Sequence, residues 1–222
     1  RFDIVGVIDT PKLSGKDAGE VLDGKHRNIP VFGSLEDAIE QLLVIHYLII
    51  GVATVGGVLP PAMVGIVEKA LEAGISVVNG LHEYLTDNPI FVKLAEEKNL
   101  ELIDIRKPKK RQDLHFWTGE INQVDVPIVA VMGMDCALGK RTTARLLRQC
   151  AAQKGISAEM IYTGQTGWLQ GGKYGFVFDS TLNDFVSGEL EHAIVSCWKE
   201  TKPAFFLLEG QSALRNPSGP CG

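Results

Sequence analysis

The sequence predicts an α/β protein: a Rossmann-like parallel-sheet domain over residues 1–106, a linker over 107–127, and a P-loop NTPase-like α/β domain over 128–222. Two observations carry this. Apolar, strand-like runs alternate with helix-like stretches through the first half of the chain, the spacing of a parallel sheet with right-handed crossovers. Then residues 128–132 (IVAVM), a short uncharged run read as a buried strand, lead into GMDCALGK and on into RTTARLLR, which has helix formers and no breaker. Strand, glycine-bounded loop, lysine and helix together are the context of a phosphate-binding loop.

In chain order, residues 2–9 (FDIVGVID) read as a strand ending in a carboxylate, and 10–28 as a polar, glycine-punctuated loop. Residues 29–32 form a short strand, and Ser34 caps a helix over 35–42 with Asp37 in its first turn. A central strand follows at 47–53, then a Gly-Gly/Pro-Pro loop, then a helix over 63–73 closed by Gly74. A strand at 75–79, a helix opened by Asn88-Pro89 and running through Asn99, and a strand at 100–105 complete the unit. Asp9 stands where a ribose-binding carboxylate would stand in a dinucleotide fold, yet no GxGxxG occurs, so a degenerate scaffold is expected rather than an NAD site. His82, after a strand's C-terminal end, reads as a satisfied loop histidine.

Residues 106–111 (RKPKKR) open the linker, and their charges are expected to be solvated. The second domain begins with the phosphate loop, whose helix runs to Lys154 and stops at Gly155. A strand over 158–163 leads into a glycine- and amide-rich turn over 164–172. Leu182, Phe185, Val186, Leu190, Ala193, Ile194, Cys197 and Trp198 recur at helical spacing as core. Residues 204–209 (AFFLLE) read as a buried strand ending in a carboxylate, the Walker-B-like arrangement.

The phosphate loop is the chemical centre of the sequence. Its glycines let the backbone curl so that successive N–H groups point inward, the helix N-terminus adds partial positive charge, and Lys140 adds a full one. Two departures from the common pattern matter. The first glycine is Gly133, one place early, which gives a G-x5-G-K spacing with Asp135 inside it; this resembles the loop of dethiobiotin synthetase and its relatives. The residue after the lysine is Arg141 rather than the Ser or Thr whose hydroxyl binds Mg²⁺ beside a nucleotide. Thr142 lies about 100° further around the helix and cannot simply take over. The site gains a cation and loses a metal ligand.

Composition excludes some classes. A net charge of −5 with no long basic run argues against nucleic acid as the main partner. The uncharged stretch over 41–67 is broken by Gly56-Gly57 and Pro60-Pro61 and reads as a strand and the next helix, not a membrane span. Cys136, Cys150, Cys197 and Cys221 fall in no ligand spacing; they read as reduced thiols of a cytoplasmic protein with no signal peptide, and no metal site is expected. Further sequence is expected before Arg1 and beyond Gly222.

The motifs GMDCALGKRTT, YTGQTGW and LLEGQSALRNPSG, in this order behind a Rossmann-like domain, resemble a bacterial P-loop family long known only as a domain of unknown function and typified by D-glutamate N-acetyltransferase. The resemblance implies acetyl-CoA as cofactor, its phosphates held where relatives of the fold hold ATP. The expected phosphate-holding residues are Gly133, Asp135, Cys136, Ala137, Leu138, Gly139, Lys140, Arg141, Thr142 and Thr143. Gln165, Thr166, Gly167, Gln211, Ser212, Arg215 and Asn216 form the expected substrate wall, with Arg215 as the fork for an acceptor carboxylate and Glu209 as the catalytic candidate. Three readings stay open: an N-acetyltransferase for an acidic amino acid, an ATP- and Mg²⁺-using ligase or kinase of the dethiobiotin-synthetase type, and a non-catalytic nucleotide-binding accessory protein. The expected partners are a small-molecule substrate and further copies of the chain, with no nucleic acid or membrane.

Overall fold

The computed structural model describes residues 1–214, which divide into two compact units, residues 2–105 and residues 106–214 joined by Arg1. The first unit runs β1 (Val7–Ile8), α1 (Ala18–Asp23), β2 (Val31–Phe32), α2 (Leu35–Gln41), β3 (Tyr47–Ile50), α3 (Pro61–Glu72), β4 (Ser76–Asn79), α4 (Pro89–Glu97) and β5 (Leu102–Asp104). All its strand pairs are parallel, in two sheets of order β1-β2 and β3-β4-β5. Val67, Ala70, Leu71, Val77, Leu85 and Phe91 fill the core between helices and sheet.

Local chemistry sets most boundaries. The Ser34 hydroxyl accepts the Asp37 N–H to start α2, and the Asn88 side chain accepts the Ile90 N–H to start α4, with Pro89 in the first turn. The expected loop over 10–28 instead contains α1. Its cap, Asp17, accepts four backbone N–H groups, from Gly19, Glu20, Arg27 and Ile29, so one carboxylate both starts the helix and ties down the return strand. Burial pushes the Asp17 carboxyl up, but the amides of Ile29, Arg27, Glu20 and Gly19 together draw it down to about 2. The uncharged stretch over 41–67 is β3, a 3-10 turn and the start of α3, and among the described residues no helix is long and apolar enough to cross a membrane.

The second unit runs β6 (Ile128–Val131), α5 (Lys140–Gln153), β7 (Ala158–Ile161), α6 (Gln165–Leu169), α7 (Val186–Thr201) and β8 (Phe205–Glu209). Its sheet is parallel with order β6-β8-β7. β6 was expected as a buried strand; it is an edge of the described sheet and leaves Ile128 and Val129 exposed. The core joins Ile161, Ala193, Ile194, Cys197 and Phe206, so the helical stripe on α7 packs as its spacing predicts. Burial raises the Cys197 thiol to about 11, keeping it an inert thiol. Cys136 and Cys150 are free as well.

The charges of the 107–127 stretch do not simply dissolve in solvent. Glu189 and Glu191 on α7 are both buried and both turned toward this segment. Glu189 accepts the His115 N–H at 2.9 Å, contacts His115 Nδ1 at 2.8 Å and accepts from Lys109 Nζ at 2.6 Å. Glu191 accepts the N–H groups of Thr118 and Ile121 at 2.5 and 3.1 Å. Ile121, Val124 and Val126 then pack on the core. Gly188 makes the close approach possible, since an added Cβ would lie 2.0 Å from the His115 carbonyl oxygen.

Candidate functional site

The strand register assembles the site. Val131 pairs with Glu209 across β6 and β8, and Ile161 with Leu208 across β7 and β8, so all three strands end at the same edge of the sheet. The phosphate loop leaves that edge after β6, residues 210–214 leave it after β8, and Thr163 and Gly164 leave it after β7. Open α/β sheets bind ligands at this edge.

Between β6 and α5 the loop closes as its sequence requires. Gly139 has φ +91° and starts α5 from a left-handed conformation, and the Thr143 N–H returns to the Gly139 carbonyl. Gly133 lies against the Lys140 stem, where an added Cβ would come within 3.2 Å of Lys140 Cδ. Ala137 inside the loop and Ser212 opposite it both have positive φ, at 56° and 51°, a cost that non-glycine residues carry where a site over-determines the backbone. Lys140 Nζ donates to the Asp135 carbonyl at 2.7 Å and to the Ser212 carbonyl at 2.6 Å. With the Leu214 N–H on the Gly133 carbonyl, this latches the post-β8 loop onto the phosphate loop. The Asp135 carboxylate accepts the Cys136 N–H at 2.7 Å and so shapes the loop from within.

A cavity of about 410 Å³ opens here, lined by Cys136, Ala137, Gly139, Lys140, Arg141, Glu209, Gly210 and Gln211. Its floor is Glu209, only 6% exposed. The carboxylate accepts the Thr163 N–H at 3.0 Å, the Thr163 hydroxyl donates to the Glu209 carbonyl at 2.7 Å, and Gln211 Nε2 donates to that hydroxyl at 2.8 Å. Burial pushes the Glu209 carboxyl above its ordinary range, while the Thr163 amide, Arg141, Lys140 and the Gly164 amide pull against it. Arg141 carries its Nε buried and without a hydrogen-bond partner among the described residues. A cavity lined by two cations and a buried carboxylate can seat an anionic group beside a proton acceptor.

Not every expected site residue meets here. Asp135, Leu138, Thr142 and Thr143 belong to the loop or the first turn of α5 but do not line the cavity, and Leu138, Thr142 and Thr143 are exposed. The expected turn over 164–172 contains α6. Gln165 and Thr166 sit half-buried at its start, also off the cavity wall. Gly167 is explained by packing: an added Cβ would lie 2.2 Å from Tyr162 Cβ. Ser212 meets Lys140 through its carbonyl. Arg215 and Asn216 lie outside the described residues. Thr163 was not among the expected site residues, although it falls inside the motif YTGQTGW.

Residues 115–222 match a family model described as "Domain of unknown function (DUF1611_C) P-loop domain", and residues 11–108 match "Domain of unknown function (DUF1611_N) Rossmann-like domain". The chain is similar to a protein named D-glutamate N-acetyltransferase from a Pseudoalteromonas species, 32% identical over 170 residues, which cover 77% of this chain and 49% of the relative. A protein of the same name from Tritonibacter scottomollicae is 31% identical over 167 residues, 75% of this chain and 48% of the relative. The chain thus spans about half the length of the curated relatives it matches. Among solved structures, that of a DUF1611 family protein from Anabaena variabilis aligns with a TM-score of 0.84 at 30% identity, covering 97% of this chain and 60% of that one.

Proposed function

The chain belongs to the DUF1611 family, a Rossmann-like domain followed by a P-loop domain, and on that footing we propose that it is an acetyl-CoA-dependent N-acetyltransferase acting on an acidic amino acid such as D-glutamate. The observation that carries this reading is that Arg141 and the buried Glu209 line one cavity, beside a loop that lacks the metal-binding hydroxyl of phosphoryl-transfer sites. The names of the two curated relatives point the same way. The residues fit a CoA pyrophosphate: a glycine-bounded loop at a helix N-terminus, Lys140 held by two carbonyls that a phosphate can displace, and an Arg141 Nε with no acceptor among the described residues.

Lys140, Arg141 and the amides of residues 135–142 would hold the phosphates. The bound donor supplies an acetyl group activated as a thioester. Acyl transfer needs the acceptor amine in its neutral form, and Glu209, held by Thr163 (itself braced by Gln211) and raised by burial, is placed to take the proton from the incoming ammonium. Arg215 would receive an acceptor carboxylate in its planar fork. The partners in this reading are small molecules and other copies of the chain, in the cytoplasm.

The test is release of CoA thiol from acetyl-CoA, followed with D- and L-glutamate as acceptors. Thiol release that depends on the acceptor and disappears in Glu209→Gln supports the assignment. No release with either acceptor, alongside Mg²⁺-dependent ATP hydrolysis stimulated by another small molecule, would replace it with the ligase or kinase reading.

A further inference from the structure

The residue that follows the phosphate-loop lysine decides how such a site neutralises phosphate. In ordinary loops it is Ser or Thr, its hydroxyl binds Mg²⁺, and a carboxylate at the end of a neighbouring strand holds the ion's other side. Here both positions are filled, and differently. Arg141 stands in the hydroxyl's place in the first turn of α5, and Glu209 ends the neighbouring strand β8. The two share one cavity wall with Lys140. Thr142 is exposed and does not line that cavity, so it does not restore the hydroxyl. The Arg141 Nε is shielded from solvent and has no acceptor among the described residues, an expensive state for a charged donor that a bound anion relieves.

We propose that Arg141 takes the place of the divalent cation: its guanidinium bridges Glu209 and the phosphate oxygens of the ligand, so that the loop binds a diphosphate ester without Mg²⁺. The inference rests on the phosphate-loop reading and sharpens its substrate class. Phosphoryl transfer relies on a metal that bridges the β- and γ-oxygens and takes up the charge that develops there. A fixed guanidinium neutralises the ground-state diphosphate and offers bidentate hydrogen bonds, but it does not follow a departing phosphoryl group. The site is therefore built to hold a diphosphate that is not itself cleaved. Ligands of that class carry the diphosphate between a nucleoside and a reactive arm, as CoA does.

The experiment is calorimetric titration of the whole chain with CoA and, separately, with ADP, each in EDTA and in excess Mg²⁺, for the wild type and for Arg141→Ser, Arg141→Lys and Lys140→Ala. The proposal expects wild-type CoA affinity to be the same in EDTA and Mg²⁺ within about twofold, a difference of about 0.4 kcal/mol. Arg141→Ser should lose at least about tenfold in EDTA, the scale of one charged hydrogen bond. It should regain most of that loss in Mg²⁺, because the new hydroxyl restores the metal ligand. Arg141→Lys should fall between the two and stay indifferent to Mg²⁺. The proposal is overturned if the wild type needs Mg²⁺, or if Arg141→Ser binds like the wild type in EDTA while Lys140→Ala fails to bind; the second result leaves the phosphate-loop reading standing. Wild-type binding untouched by either Lys140→Ala or Arg141→Ser would remove both. Rescue by Mg²⁺ is internal evidence that the Arg141→Ser variant is folded, and melting curves of each variant check the rest.

Discussion

Glu209 and Thr163 clasp each other across neighbouring strand ends: the Thr163 N–H reaches the Glu209 carboxylate at 3.0 Å while the Thr163 hydroxyl reaches the Glu209 carbonyl at 2.7 Å. The clasp fixes a carboxylate that burial would rather keep protonated. A raised carboxyl contributes stability that is complete below its ordinary pKa and is lost as pH rises through the raised value. The ligand-free protein should therefore lose stability from this group as pH climbs away from the acid range. Glu209→Gln, which keeps the acceptor for the Thr163 amide, should remove that slope and lower kcat by about a hundredfold or more. Melting curves across pH and thiol-release kinetics read the two effects separately; an unchanged slope in Glu209→Gln would show that the carboxylate is ionised without penalty.

Lys140 is predicted to exchange its two carbonyl partners for phosphate oxygens. Lys140→Ala should weaken CoA binding by about 1.5–3 kcal/mol, the usual loss for a charged hydrogen bond. Because Lys140 also latches the Ser212 carbonyl, hydrogen exchange at residues 210–214 should quicken in the same variant even without ligand. Unaltered exchange there would show that the latch adds nothing to local order.

Gly167 separates packing from chemistry. Its missing Cβ is forced by the Tyr162 side chain, so Gly167→Ala should destabilise the fold by about 1–3 kcal/mol, an overpacking cost, in denaturant titrations. Any loss of CoA affinity in the folded fraction should be small, since the residue does not line the cavity. A variant of wild-type stability with impaired binding would return Gly167 to the substrate wall.

What the sequence revealed and what it hid follow one physical division. The phosphate loop is local grammar, legible because strand, glycines, lysine and helix succeed one another within a few residues. The Glu209–Thr163 clasp depends on β8 lying between β6 and β7, and nothing in the residue types states that order. α1 was hidden because it has six residues and no apolar stripe; its stability comes from one capping carboxylate with partners ten and twelve residues away. α6 was hidden by its glycines, which resemble a turn until the Tyr162 ring is seen against Gly167 and Gly172. Nothing in the residue types sets Glu189 and Glu191 apart, and only the backbone N–H groups of the 115–121 segment show why both are buried.

That last feature makes the 107–127 segment sensitive to acid. Burial pushes Glu189 up, but Lys109 and His115 pull it below its ordinary carboxylate range. Its contribution to stability is present above about pH 4.3, the unfolded value, and is lost as pH falls through the lowered one. His192, stacked on His115 with ring centroids 3.5 Å apart, is held below its ordinary value by burial first and by the neighbouring His115 second. A depressed histidine contributes stability present above about pH 6.5 and lost as pH falls through the folded value. The segment should thus loosen in two stages on acidification, His192 first and Glu189 later, while Glu209 acts in the opposite direction. His192→Phe keeps a stacked ring without the charge and should abolish the first stage only. Glu189→Ala should cost about 2–3 kcal/mol at neutral pH, because the His115 N–H and Lys109 lose their buried acceptor together. Hydrogen exchange of residues 109–121 from neutral to acid pH, in these two variants and in Glu209→Gln, resolves the three contributions. Protection that holds in His192→Phe and in the wild type alike across the first stage would assign the acid response to other groups.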